Sequence, residues 1–123
     1  MPNAKPFVAV VDDDESVGRA LKRVLRTAGI PADAFLSGDD FVSTLASMPS
    51  YRPDCAIVDV QMPGLSGLDV LKSVVGQMPV ILITAYEDAD TRERALAAGA
   101  VDYLRKPFNS SALIQAVLHA LGH

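Results

Sequence analysis

Phe7-Val8-Ala9-Val10-Val11-Asp12-Asp13-Asp14-Glu15-Ser16-Val17 begins with an unbroken apolar run and then turns abruptly acidic. A run of that kind reads as a strand buried on both faces. The apolar positions that follow, Val17, Leu21, Val24, Leu25 and Ala28, recur at three- and four-residue intervals. That spacing predicts a one-faced helix, and Gly29 supplies its stop. A buried strand leading straight into an amphipathic helix is the first half of a β-α-β unit.

The rest of the chain repeats the alternation. Further strands are expected at Ala32 to Leu36, Cys55 to Val58 and Val80 to Thr84, with a shorter fifth at Val101 to Leu104. A second helix opens at Ser37, with Asp40 three residues on as a weak capping box, and carries Phe41, Val42, Leu45 and Met48 before Pro49 ends it. A third starts near Ser66-Gly67 with Leu68, Leu71, Val74 and Val75. A fourth, Asp88 to Ala98, has a thin apolar stripe of Ala95, Leu96 and Ala98; a fifth, Ser110 to Leu121, carries Leu113, Ile114, Val117, Leu118 and Leu121. Five β-α units with no linker or repeat imply an α/β fold, a doubly wound parallel sheet covered on both faces by right-handed crossovers. In such folds ligands bind outside the carboxyl ends of the strands.

Length and charge bound the function. At 123 residues the chain fits one domain, 1–123, able to bury its own core without disulfide or structural metal. The single cysteine, Cys55, lies in an apolar strand and is read as a small hydrophobe. The first six residues carry no apolar core of a signal peptide and no stretch is long enough to cross a membrane, so the protein is read as cytoplasmic with no membrane partner. A net charge of −4 argues against direct nucleic-acid binding by this chain.

The polar residues at the predicted strand ends are Asp12, Asp13, Asp14 and Glu15 after the first, Asp59 after the third, Thr84 at the fourth and Lys106-Pro107 after the fifth. Each alone has a plain structural explanation: acidic runs cap helices, and Asp59 heads a turn-forming stretch. Together at one end of a sheet, the carboxylates repel one another unless a cation sits among them. Oxygen-only ligands suit Mg²⁺, and Mn²⁺ as a substitute. Lys106 adds a positive charge, and between cation and ammonium lies a place suited to a phosphoryl group. Asp59 is the carboxylate placed to accept it, forming a short-lived acyl phosphate, and Thr84 offers a hydroxyl to the new oxygens.

Nearly the whole chain, Phe7 to Leu121, resembles the receiver domains of two-component response regulators, of the chemotaxis CheY type. The resemblance rests on Val10-Val11-Asp12-Asp13-Asp14, on Val58-Asp59-Val60-Gln61-Met62-Pro63-Gly64-Leu65-Ser66-Gly67, on Ile83-Thr84-Ala85, and on Gly99 to Phe108. It implies a five-stranded parallel sheet of order 2-1-3-4-5, flavodoxin-like, and a signalling module rather than an enzyme. Asp59 would be the phosphoacceptor, and the Mg²⁺ ligands Asp12, Asp13, Asp59 and the backbone carbonyl of Gln61. Lys106 would pair with the phosphoryl group beside a cis Lys106-Pro107 bond. Thr84 and Tyr103 would form the switch pair, driving an output face made of the fourth helix, fifth strand and fifth helix. The implied partners are a sensor histidine kinase or histidine phosphotransfer protein and a downstream effector or missing output domain, with room for a phosphorylation-dependent homodimer. The segment Met62 to Gly67 resembles receivers that precede a DNA-binding domain of the FixJ type, so the chain is a stand-alone receiver or a piece of a longer regulator. Gly18 departs from the longer polar residue common at that position. Arg19, Lys22, Arg23 and Arg26, on the polar side of the first helix, would meet the kinase.

Three other classes fit parts of the sequence. Asp12-Asp13-Asp14-Glu15-Ser16 also matches the start of haloacid-dehalogenase-like phosphatases, which leaves Asp59, Thr84 and Lys106 without a role. A flavin-binding domain would want small hydroxyl and glycine residues after the first strand, where four acids stand. An interaction module that has lost phosphorylation would not be expected to keep acceptor, acid pair, hydroxyl and lysine. Finally, Tyr86 and Gln61 are expected at the mouth of the site, where a bulky phenol and a non-acidic amide would slow hydrolysis of the acyl phosphate.

Overall fold

The computed structural model describes residues 6–85 and 88–122. The strands and helices alternate without exception: β1 (Val8–Val11), α1 (Glu15–Thr27), β2 (Ala32–Phe35), α2 (Gly38–Ser47), β3 (Cys55–Asp59), α3 (Gly67–Val74), β4 (Val80–Thr84), α4 (Ala89–Ala97), β5 (Asp102–Arg105) and α5 (Ser110–Ala120). All strand pairs are parallel and the sheet order is β2-β1-β3-β4-β5. β1, β3 and β4 hold the centre and every residue in them is buried.

Side chains alternate across the sheet and divide the core into two layers. Ala9, Val11, Ala56, Val58, Val80 and Leu82 face Phe41 and Leu45 of α2, Val70, Leu71 and Val74 of α3, and Ala95 of α4. Val8, Val10, Cys55, Ile57, Ile81 and Ile83 face Leu21 and Leu25 of α1 and Leu113, Ala116 and Val117 of α5. The sheet is thus covered on both faces, which is why its central strands read as continuous apolar runs.

Caps set where each helix begins. Asp14 caps α1 by accepting from the Ser16 amide, Ser37 caps α2 by accepting from Asp40, and Asn109 caps α5 by accepting from Ala112. α3 has a full capping box: the Ser66 hydroxyl accepts from the Asp69 amide and the Asp69 carboxylate from the Ser66 amide. Spacing assigned Met48, Val75 and Leu96 to the apolar stripes, yet all three are about half exposed, at 51%, 50% and 42%. Met48 and Val75 are C-caps, where the chain has left helical geometry and the side chain no longer falls on the helix face. In α4 the core takes Ala95 alone. Among the described residues no helix is long and apolar enough to cross a membrane.

Candidate metal and phosphoacceptor site

Parallel pairing brings the carboxyl ends of β1, β3, β4 and β5 to one edge. Val11 pairs with Val58, Asp59 with Ile83, and Thr84 with Arg105, so Asp12, Asp59, Thr84 and Lys106 leave the sheet side by side. Backbone bonds pin the exits: Asp12 N–H donates to Phe35 O at 3.0 Å, Val60 N–H to Ile83 O at 2.8 Å, and Lys106 N–H to Thr84 O at 2.7 Å. The Lys106-Pro107 peptide bond is cis.

Asp12, Asp59 and Thr84 are the polar residues buried in the described chain, at 1%, 5% and 2% exposure. Burying a carboxylate is costly unless it is paired. Asp12 Oδ1 accepts from the Asp14 amide at 2.9 Å, and Lys106 Nζ lies 2.9 Å from Asp12 Oδ2 and 3.5 Å from Asp59 Oδ2. The approach to Asp12 Oδ2 is that of an ion pair without hydrogen-bond alignment, and that buried oxygen has no hydrogen-bond partner among the described residues. Among the described residues Asp59 Oδ1 receives one long bond, from the Gln61 amide at 3.4 Å.

The charge balance is uneven. Burial pushes the Asp59 carboxyl up to about 6; Asp12 adds to the rise and Lys106 opposes it. Burial alone would lower the Lys106 ammonium, but its contacts with Asp12 and Asp59 outweigh that and hold it above its ordinary value. One ammonium therefore serves two buried carboxylates, with exposed Asp13 close by.

A cation fits the remaining deficit. Asp12, Asp13 and Asp59 each offer a carboxylate oxygen, all within 4.8 Å of one another. A donor set made only of oxygen, with Asp13 open to water, suits a hard dication that keeps part of its hydration. The under-bonded Asp12 Oδ2 and Asp59 Oδ1 are the atoms such an ion would satisfy.

Asp12, Asp13, Asp59, Gln61, Thr84 and Lys106 all lie at this edge of the sheet. Asp14 belongs to the capping of α1, with Ser16 Oγ donating to its Oδ1 at 2.6 Å. The Gln61 side chain is exposed, while its backbone follows directly on Asp59 and Val60. Tyr103, on β5, is half-buried against the α2–α3–α4 layer. Tyr86 lies outside the described residues. The sequence reading passed over two contributors: the Asp14 amide that fixes Asp12, and Gly67, whose N–H donates to Val60 O at 2.9 Å and sets α3 against the end of β3. Ser66 followed by Asp69, an S-x-x-D capping pattern, was the available signal for the second.

The profile of the response regulator receiver domain matches residues 8–118. A response regulator receiver protein from Burkholderia phymatum, known from its crystal structure, is 59% identical, with a TM-score of 0.88 over 96% of each chain. The transcriptional regulatory protein FixJ of Azorhizobium caulinodans is 38% identical over 125 residues, which cover 99% of this chain and 57% of FixJ. The DNA-binding transcriptional regulator NtrC of Salmonella typhimurium is 39% identical over 120 residues, covering 95% of this chain and 25% of NtrC. The chain thus spans between a quarter and little more than half of these two curated relatives. With its sheet order, its acidic strand ends and these similarities taken together, the chain belongs to the receiver domain family of response regulators.

Proposed function

We propose that residues 1–123 are one receiver domain that takes a phosphoryl group on Asp59 from a phosphohistidine of a sensor kinase or histidine phosphotransfer protein. The observation that carries this reading is the convergence of Asp12, Asp13 and Asp59 within 4.8 Å, with Lys106 3.5 Å from Asp59 Oδ2. An Asp59 carboxylate oxygen attacks phosphorus, the bond from phosphorus to the donor's imidazole nitrogen breaks, and the imidazole leaves with that electron pair and takes up a proton. An acyl phosphate on Asp59 results.

Asp12, Asp13, Asp59 and the Gln61 carbonyl would hold Mg²⁺, or Mn²⁺ in its place. Such an ion supplies charge stabilisation for phosphoryl oxygens. Lys106, drawn to its two carboxylates in the unphosphorylated site, turns to the phosphoryl oxygens as they arrive. The Thr84 hydroxyl then turns to the phosphoryl oxygens, and Tyr103 follows, carrying the change to the face formed by α4, β5 and α5. Output passes to an effector or to a domain outside the chain. The reading places the protein in the cytoplasm as a signalling module, with a phosphorylation-dependent homodimer as one form of output.

Asp59→Asn is the test. Incubation with a small phosphodonor and Mg²⁺ is expected to load one phosphoryl group on the parent chain and none on the variant. Undiminished loading of the variant would refute the assignment.

A further inference from the structure

We propose that Gly67 is a positioning residue for Asp59: because it has no side chain, the first turn of α3 presses directly on the backbone that carries the acceptor carboxylate. This rests on the reading of Asp59 as phosphoacceptor. A Cβ built on Gly67 would lie 2.4 Å from Asp59 O, 2.7 Å from Val60 Cα and 2.9 Å from Asp59 C. All three are main-chain atoms and cannot swing aside as a side chain could. They are also fixed from the other side, since Val60 N–H donates to Ile83 O at 2.8 Å and Asp59 pairs with Ile83 in the sheet.

Conformation does not demand glycine here. Gly67 is not among the residues with positive φ, and alanine is the better helix former. Space alone keeps the position bare. Gly38 also admits no Cβ, but the nearest atom that methyl would meet is on the Val70 side chain; at Gly18 nothing comes closer than 3.7 Å. Among the glycines, Gly67 is the one whose missing Cβ faces the main chain of Asp59.

The contact places two things at once. The Gly67 amide holds Val60 O, and the Ser66–Asp69 capping box holds the turn that presents that amide. Val60 in turn fixes the direction of the Asp59 side chain before it and of the Gln61 carbonyl after it. A methyl group at Gly67 must push α3 and the end of β3 apart by roughly 1 Å, a displacement on the scale that costs about a hundredfold in a positioned reaction.

The experiment compares the parent chain, Gly67→Ala and the control Gly18→Ala. The readouts are Mg²⁺ affinity by calorimetry, the rate of Asp59 phosphorylation by phosphoramidate at saturating Mg²⁺, and backbone amide shifts without metal. Gly67→Ala is expected to weaken Mg²⁺ binding and slow phosphorylation at least tenfold each, with the amides of Asp59 to Gln61 displaced and Gly18→Ala like the parent. Parental rate and Mg²⁺ affinity in Gly67→Ala would overturn the proposal. Should the parent itself not be phosphorylated, the functional reading fails, and amide shifts of Asp59 to Gln61 unchanged by Gly67→Ala would overturn the positioning role separately. Should Gly67→Ala not fold, Ser66→Ala loosens the same turn without adding bulk: slowed phosphorylation with weakened Mg²⁺ binding upholds the role, and parental values overturn it.

Discussion

Burial raises the pKa of both Asp59 and Cys55, but what surrounds each gives the two residues opposite uses. Asp59 stands beside Asp12, and a single ammonium serves both carboxylates. Without metal, the negative charge on Asp59 therefore costs the folded state at neutral pH. Asp59→Asn removes it and is expected to raise the melting temperature of the metal-free protein, by a stability gain of about 1–3 kcal/mol. Saturating Mg²⁺ should shrink or reverse that gain, because the parent keeps a ligand that the variant has lost; differential scanning calorimetry with and without Mg²⁺ reads both. Cys55 packs in the apolar layer against α1 and α5, and burial, with a smaller contribution from Asp54, pushes its thiol from 9.0 up to about 12. The unfolded thiol ionises first, so the stability it contributes is whole below pH 9.0 and is lost as pH rises from 9.0 towards about 12. Tyr51, raised by burial and by its bond to Asp33, acts in the same sense at alkaline pH. Denaturant titrations across pH 8 to 11 should show a shallower decline for Cys55→Ala than for the parent; equal declines would leave the thiol without that role.

Helices differ more than strands in how much they bury. α1 and α3 present several buried residues each, whereas α4 buries Ala95 alone and has one weak i, i+4 pair, Arg94 with Asp90 at 3.9 Å. An exposed pair at that separation contributes little. α4 should therefore open most readily, and amide exchange is expected to be faster at residues 92–97 than at residues 70–74 of α3. Comparable protection would contradict the thin-contact reading of this element. These contrasts were largely visible in sequence, since strands buried on both faces and helices striped at 3.6 residues are local patterns. Met48 and Val75 escaped because chain direction changes at a C-cap, a matter of backbone angle rather than of spacing. Gly67 escaped because its role is an approach between α3 and β3, visible only when the two are brought together.

At the scale of the molecule, the sheet order gathers chemistry from four strand ends onto one edge and leaves the helix faces for partners. The sequence marked Asp12, Asp13, Asp59, Thr84 and Lys106 as candidates, but their convergence needed the order β2-β1-β3-β4-β5. On the α1 side, Arg19, Lys22, Arg23 and Arg26 line one shallow groove, against a chain whose net charge is −4. Such a face suits an acidic region of the phosphodonor protein. Arg19→Glu with Arg23→Glu should slow transfer from the partner at least tenfold at low salt, yet leave labelling by a small phosphodonor unchanged; equal effects on both would refute docking there. The destination of the phosphoryl group decides between a receiver and any other use of these carboxylates. The most direct measurement is borohydride reduction after incubation with phosphoramidate and Mg²⁺, followed by peptide mapping. An acyl phosphate is expected to be reduced to homoserine at position 59 and nowhere else, and not at all when Mg²⁺ is chelated. Label on any other residue, or label at Asp59 that persists without a divalent metal, would contradict the account.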